Sequence, residues 1–376
     1  MSARYRADQV GSLLRPKALL DARAAHENGE LSDEQLRTAE DQAILAAIDM
    51  QRAAGVDVYV DGEFRRKSYM MGLYDAIDGF GLTPQLQVAG GAGGGFGGWR
   101  GTPIPNYPRV QYPACVGKLA PKRRLAQHEA AFLKAHAPGP YKATLPGAQM
   151  IGSTAWRPGL SDTAYPTRGE FMNALAGILR SEVQALISEG VPYIQIDAPA
   201  YTQFADSTWR ERMLASGVDL GKALDEYIAA DNAIISGLAT EGVTLGFHLC
   251  RGNSGGQWLS EGGYDPIAER LFTELRYDTF LLEYDTDRAG GFEPLRFMPK
   301  GKTVVLGLIT TKSGALESQT DLLKRIDDAA RYVPIENLAL SPQCGFASSI
   351  PGNPLTDDEQ RRKLELVAST ARQAWG

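Results

Sequence analysis

His248 and Cys250 stand two residues apart in the stretch Gly246–Asn253, and the preceding run, Val243–Phe247, reads as a β-strand. Side chains two apart on a strand share a face. An imidazole and a thiolate on one face supply two of the ligands that a tetrahedral zinc ion requires. His248 is the only His in the second half of the chain, and Cys250 is one of only three Cys. Cys344 follows the apolar run Leu338–Ser341, and Glu283 closes Thr279–Leu282. One His, two Cys and a carboxylate make a zinc set, with Zn2+ as the expected cofactor. Zinc held by two thiolates is electron-rich and only weakly Lewis-acidic. It suits an incoming thiol, whose pKa falls on the metal, better than water activation for hydrolysis. The expected chemistry is therefore alkylation of a thiol. Cys115 has no partner by spacing and is left out.

These ligands come from separate strands, so a larger scaffold must bring them together. Strand patterns recur at Tyr5–Ser12, Val56–Val60, Tyr141–Leu145, Pro192–Ile196, Thr244–Cys250, Thr279–Leu282, Lys302–Leu308 and Leu338–Ser341. Helical patterns lie between most of them. Pro16 opens one that ends at Gly29, and Ser32–Gln35 is a capping box before Leu36–Ala54. Others cover Arg168–Gly190, Asp219–Gly242, Tyr264–Leu275, Thr320–Tyr332 and Thr356–Ala374. Eight strands alternating with helices predict an α/β fold of the (β/α)8 TIM-barrel type, as one domain over residues 1–376. Active groups of such barrels sit where strands end. That rule gathers Ser12, Glu63, Asp197, His248, Cys250, Glu283, Lys312 and Cys344 at one mouth. Regular patterning fails over residues 84–140, which are rich in Gly, Pro and Tyr. This irregular Gly/Pro-rich insertion is expected near the mouth as a substrate-covering element. The glycines of Gly91–Gly98 neither follow a strand nor open a helix, which argues against a nucleotide loop.

Composition narrows the partners. The 376 residues are 43% apolar and 22% charged, with a net charge of −6. No Lys/Arg-dense run is present, so neither nucleic acid nor an anionic membrane is expected. No apolar run approaches the ~18–20 residues that span a bilayer. The first residues lack an apolar signal core, which predicts a cytoplasmic protein with reduced thiols.

The motifs resemble those of the cobalamin-independent methionine synthase family. The resemblance runs through Val10–Ser12, Asp61–Glu63, Ile194–Pro199, His248-x-Cys250, Glu283 and Pro342–Gly345, and matches that family's C-terminal catalytic barrel. It implies zinc on His248, Cys250, Glu283 and Cys344. It also implies homocysteine as the small-molecule thiol, its carboxylate on Ser12 and its ammonium on Glu63 and Asp197. There is no room for the second barrel of the long enzymes. Where those carry a proton-transferring His after the seventh strand, this chain has Lys312, the expected catalytic residue, with Thr310 in place of an Asp. Cys250–Asn253 and Asp285–Gly290 are more similar to the short, single-barrel branch, and in outline to epoxyalkane:coenzyme M transferases.

The first expectation is methylation of homocysteine to methionine through a zinc-bound thiolate. A second is another thiol alkylation, such as epoxide opening by a coenzyme M-like thiol. Its sulfonate would need Arg65, Arg66 or Arg251 beside the two carboxylates. A third is a lyase resembling uroporphyrinogen decarboxylase, against which the thiol ligands argue. A fourth is a non-catalytic zinc protein that unfolds when the metal is removed.

Overall fold

The computed structural model describes residues 4–82, 98–107 and 111–376. Six parallel strands lie side by side in chain order: β3 Lys142–Pro146, β4 Tyr193–Asp197, β5 Thr244–Leu249, β6 Thr279–Glu283, β7 Thr303–Ile309 and β8 Leu338–Pro342. Two extended segments close the ring. Ala7 bridges Leu340 of β8, with Asp8 N donating to Leu340 O at 2.9 Å and Leu340 N to Arg6 O at 2.8 Å. Ser12 bridges Gly62, and Tyr59 bridges Tyr141, where Lys142 N donates to Tyr59 O at 2.9 Å. All three bridges are parallel. The eight expected strand positions are therefore filled, two of them by segments that form isolated bridges rather than continuous ladders with their neighbours.

Those two segments pair through side chains as well as backbone. Gln51 Oε1 accepts from Val60 N at 2.8 Å, and Gln51 Nε2 donates to Val60 O at 2.9 Å. Gln9 Nε2 donates to Val58 O and to Gln51 Oε1, both at 2.7 Å. Buried glutamines thus satisfy polar groups that a regular ladder would pair.

Side chains alternate across the wall as strand geometry demands. On β6, Phe280 and Leu282 join the large apolar cluster shared with the outer helices, whereas Leu281 packs in a small separate cluster with Val305 and Ala339. The capping box at Ser32 is formed, and the helix it starts, Asp33–Ala54, stops at Gly55 with φ +82°. The helix expected over Asp219–Gly242 ends earlier, at Ile235, because Ser236 turns to extended backbone. Residues 84–140 are less irregular than expected. They contain a strand, β2 Ala114–Pro121, antiparallel to β1 Ile77–Gly81, and a helix, Gln127–His136. Most of the glycine-rich part of this insertion lies outside the described residues.

Candidate metal centre

His248 ends β5 one residue before its last, and Cys250 follows at once. Cys344 lies two residues past β8. The ligand atoms of the three lie within 4.8 Å of one another, and all three residues are buried. His248 Nδ1 is 3.0 Å from Asp197 Oδ1, while its Nε2 has no hydrogen-bond partner. A buried ring nitrogen without a partner is costly, and an imidazole whose other nitrogen is held by a carboxylate is the usual arrangement of a metal-bound His.

The charges agree with this fit. Cys250 holds Cys344 well below the usual thiol range, against burial and with further help from His248. Cys250 is pushed well up, first by Cys344 and then by burial. Burial opposes a charge on His248, but Asp197 and Cys344 outweigh it and push its pKa up to about 10. Two thiols and an imidazole compete for protons in one buried pocket, and a metal, which takes each of them deprotonated, would relieve that competition.

Glu283 stands outside this group of three. Its Oε1 is 2.5 Å from Arg288 Nη2, and its Oε2 accepts from Arg251 N at 2.8 Å. Burial raises the carboxylate's pKa, but Lys312, Arg288 and Arg251 together hold it below the usual range. The basic partners draw it away from the thiols. Arg288 falls within the stretch Asp285–Gly290, and nothing in its sequence spacing marked it as a partner of Glu283.

Six of the eight expected site residues line one cavity: Ser12, Glu63, Asp197, His248, Cys250 and Cys344. Gly345 lets Ser12 approach, since a Cβ there would fall 1.9 Å from Ser12 Oγ. Glu63 sits in left-handed backbone at φ 58°, in the turn after the second closing segment. Its Oε1 accepts from Thr144 Oγ1 at 3.1 Å, and its Oε2 is buried without a partner. Burial, with Asp197 and Asp61 nearby, pushes its pKa up to about 7 despite Arg66. Lys312 is not brought to the cavity wall. Its ammonium donates to Gly252 O at 3.2 Å and lies 3.5 Å from Asn253 Oδ1. Tyr69, Trp99 and Tyr112 also line the cavity, and no spacing in the sequence marked them.

Fold and site together define a (β/α)8 barrel with a soft-metal donor set at its mouth. The model of the cobalamin-independent synthase catalytic domain matches residues 7–89 and 160–371. The chain belongs to the cobalamin-independent methionine synthase family, whose members are methyltransferases. It is 34% identical over 381 residues to the uncharacterized Bacillus subtilis protein YxjH, covering 99% of this chain and 95% of that one. It is 24% identical over 371 residues to a methionine synthase of Saccharolobus solfataricus, covering 94% and 95%. Its fold matches a putative vitamin-B12-independent methionine synthase of Listeria monocytogenes, with a TM-score of 0.74, 27% identity and coverage of 100% and 99%. The family match leaves the lyase reading without support.

Proposed function

We propose that this protein transfers a methyl group to the thiol of homocysteine, giving methionine, with zinc held by His248, Cys250 and Cys344. The observation that carries the reading is the buried His/Cys/Cys set with an unpartnered His248 Nε2. Zinc bound there supplies a lowered thiol pKa and so a nucleophilic sulfur at neutral pH. Asp197 orients the His248 ring. The open Oε2 of Glu63 takes the substrate ammonium as a charge-assisted hydrogen bond, and Ser12 takes the carboxylate. Trp99 and Tyr112, from the insertion, line the cavity, which supports a covering role for that segment. Glu283 is the reserve fourth ligand, held back by Arg288.

A sulfonate-bearing thiol is the second reading, and the arginines weigh against it. Arg65 is spent on Glu40 and Asp41, and Arg66 on Glu129. The Arg251 guanidinium donates to Gly262 O, Glu283 O and Ala289 O. A panel of thiols read by zinc-edge X-ray absorption separates the two. Homocysteine is expected to add one sulfur to the metal's shell, and 2-mercaptoethanesulfonate to add none. The opposite pattern would overturn the choice of thiol.

A further inference from the structure

The reading above leaves unexplained why a Lys and a Gln are buried in the middle of the barrel, beneath the site. Lys142 is on β3 and its side chain is fully buried. Its ammonium reaches three acceptors: Asp8 Oδ1 at 2.7 Å, Gln9 O at 2.6 Å and Gln195 Oε1 at 2.9 Å. Three N–H donors meet three acceptors, so nothing is left over. Gln195, on β4 and also fully buried, has its other end fixed as well. Its Nε2 donates to Val10 O at 2.9 Å and to Asp197 Oδ1 at 2.8 Å. A carbonyl can only accept and an ammonium can only donate, so the two ends of the amide cannot exchange.

The logic continues upward. Asp197 Oδ1 is an acceptor for Gln195 Nε2, and His248 Nδ1 lies 3.0 Å from the same oxygen. On the neutral ring that a metal would bind, the proton therefore belongs on Nδ1, facing the carboxylate, and the lone pair on Nε2. We propose that Lys142 and Gln195 form a buried hydrogen-bond relay that sets the tautomer of His248 and presents its Nε2 to the metal. They are positioning residues that touch neither metal nor substrate. The parity of β4 makes this geometry available, because Gln195 and Asp197 share a face and Asp197 lies in register with His248. The inference rests on the zinc reading of the His/Cys/Cys set.

The test replaces the donor end of the relay by an acceptor of the same shape. Gln195→Glu keeps a partner for Lys142 but turns an acceptor toward Asp197 Oδ1. Gln195→Met is a second, uncharged variant of similar volume should Glu fail to fold at this position. Zinc affinity is measured by competition with a chromophoric chelator. The His248 ring is read by nitrogen NMR of the zinc-loaded, 15N-histidine protein, in which only four His give signals. Wild type is expected to show a proton on Nδ1 and zinc on Nε2. The variants are expected to bind zinc about 10- to 100-fold more weakly, the range for losing a metal ligand's supporting partner, and to lose the protected Nδ1 proton. Zinc on Nδ1 in wild type would overturn the relay. So would a folded variant with wild-type affinity and an unchanged ring proton. If wild type takes up no zinc at all, the metal reading itself falls and the relay falls with it.

Discussion

Glu63 combines three costs at one position: left-handed backbone at φ 58°, a buried carboxylate, and an oxygen without a partner. Such strain concentrates where a ligand is to be held. The pKa near 7 gives the site a pH dependence whose sign follows directly. Above that value the carboxylate is ionised and attracts an ammonium, and below it the proton removes the attraction. Affinity for homocysteine should therefore rise from about pH 6 to about pH 8, measured as the change in KM at constant thiol ionisation. Glu63→Gln should flatten that rise and weaken binding by about 2 kcal/mol, a typical value for a hydrogen bond to a charged group. An unchanged pH profile in the variant would remove Glu63 from the ammonium site. The same shift acts on folding with the opposite sense. A raised folded-state pKa contributes stability at low pH that is lost as pH rises through about 7. His248, Cys250 and Cys344 were legible in the sequence because residue type and strand parity are local properties. The engagement of Glu283 with Arg288, and of Lys142 with Gln195, was not, because each depends on which partner comes nearest in three dimensions.

Among the elements, the two closing segments are held by side chains rather than by long ladders. Gln51, on the helix Asp33–Ala54, binds both the N–H and the carbonyl of Val60 and receives Gln9 Nε2. Each buried backbone group left without a partner costs about 1–3 kcal/mol. Gln51→Ala should therefore lower stability by about 3 kcal/mol, read as a fall in urea midpoint with unchanged slope. It should also loosen the turn that carries Glu63, three residues beyond Val60. A variant with the wild-type midpoint would mean that the bridges to Gly62 and Tyr141 suffice. The eight strand positions could be read from apolar runs such as Val56–Val60 without knowing how they pair. The strand Ala114–Pro121 could not. It pairs with Ile77–Gly81 across more than thirty intervening residues, and its local composition offers little alternation. Its stability comes from the partner strand, which no window of sequence contains.

At the scale of the whole molecule, the candidate metal centre stands apart from the core that stabilises the fold. One large apolar cluster joins strands and outer helices around the barrel, from Ala7 through Ala371. The candidate ligands sit at one rim of that ring, His248 near the end of β5 and Cys250 and Cys344 just past β5 and β8. A barrel of this size buries enough surface to fold without a metal staple. Chelation should therefore leave the far-ultraviolet dichroism and a cooperative unfolding transition in place while abolishing methyl transfer. Zinc should then stabilise the folded state by linkage, by about 4 kcal/mol at a free concentration a thousand times its Kd, and raise the unfolding midpoint accordingly. His248→Ala and Cys344→Ala should behave like the chelated protein, folded and without stoichiometric zinc. Their unfolding midpoints should no longer respond to added metal. Metal loss and unfolding separate only if the ligands are functional rather than structural. A chelated protein that loses its dichroism at 25 °C would therefore make the ion a structural element of the fold, and would revive the reading of a metal that holds the chain together without acting on a substrate.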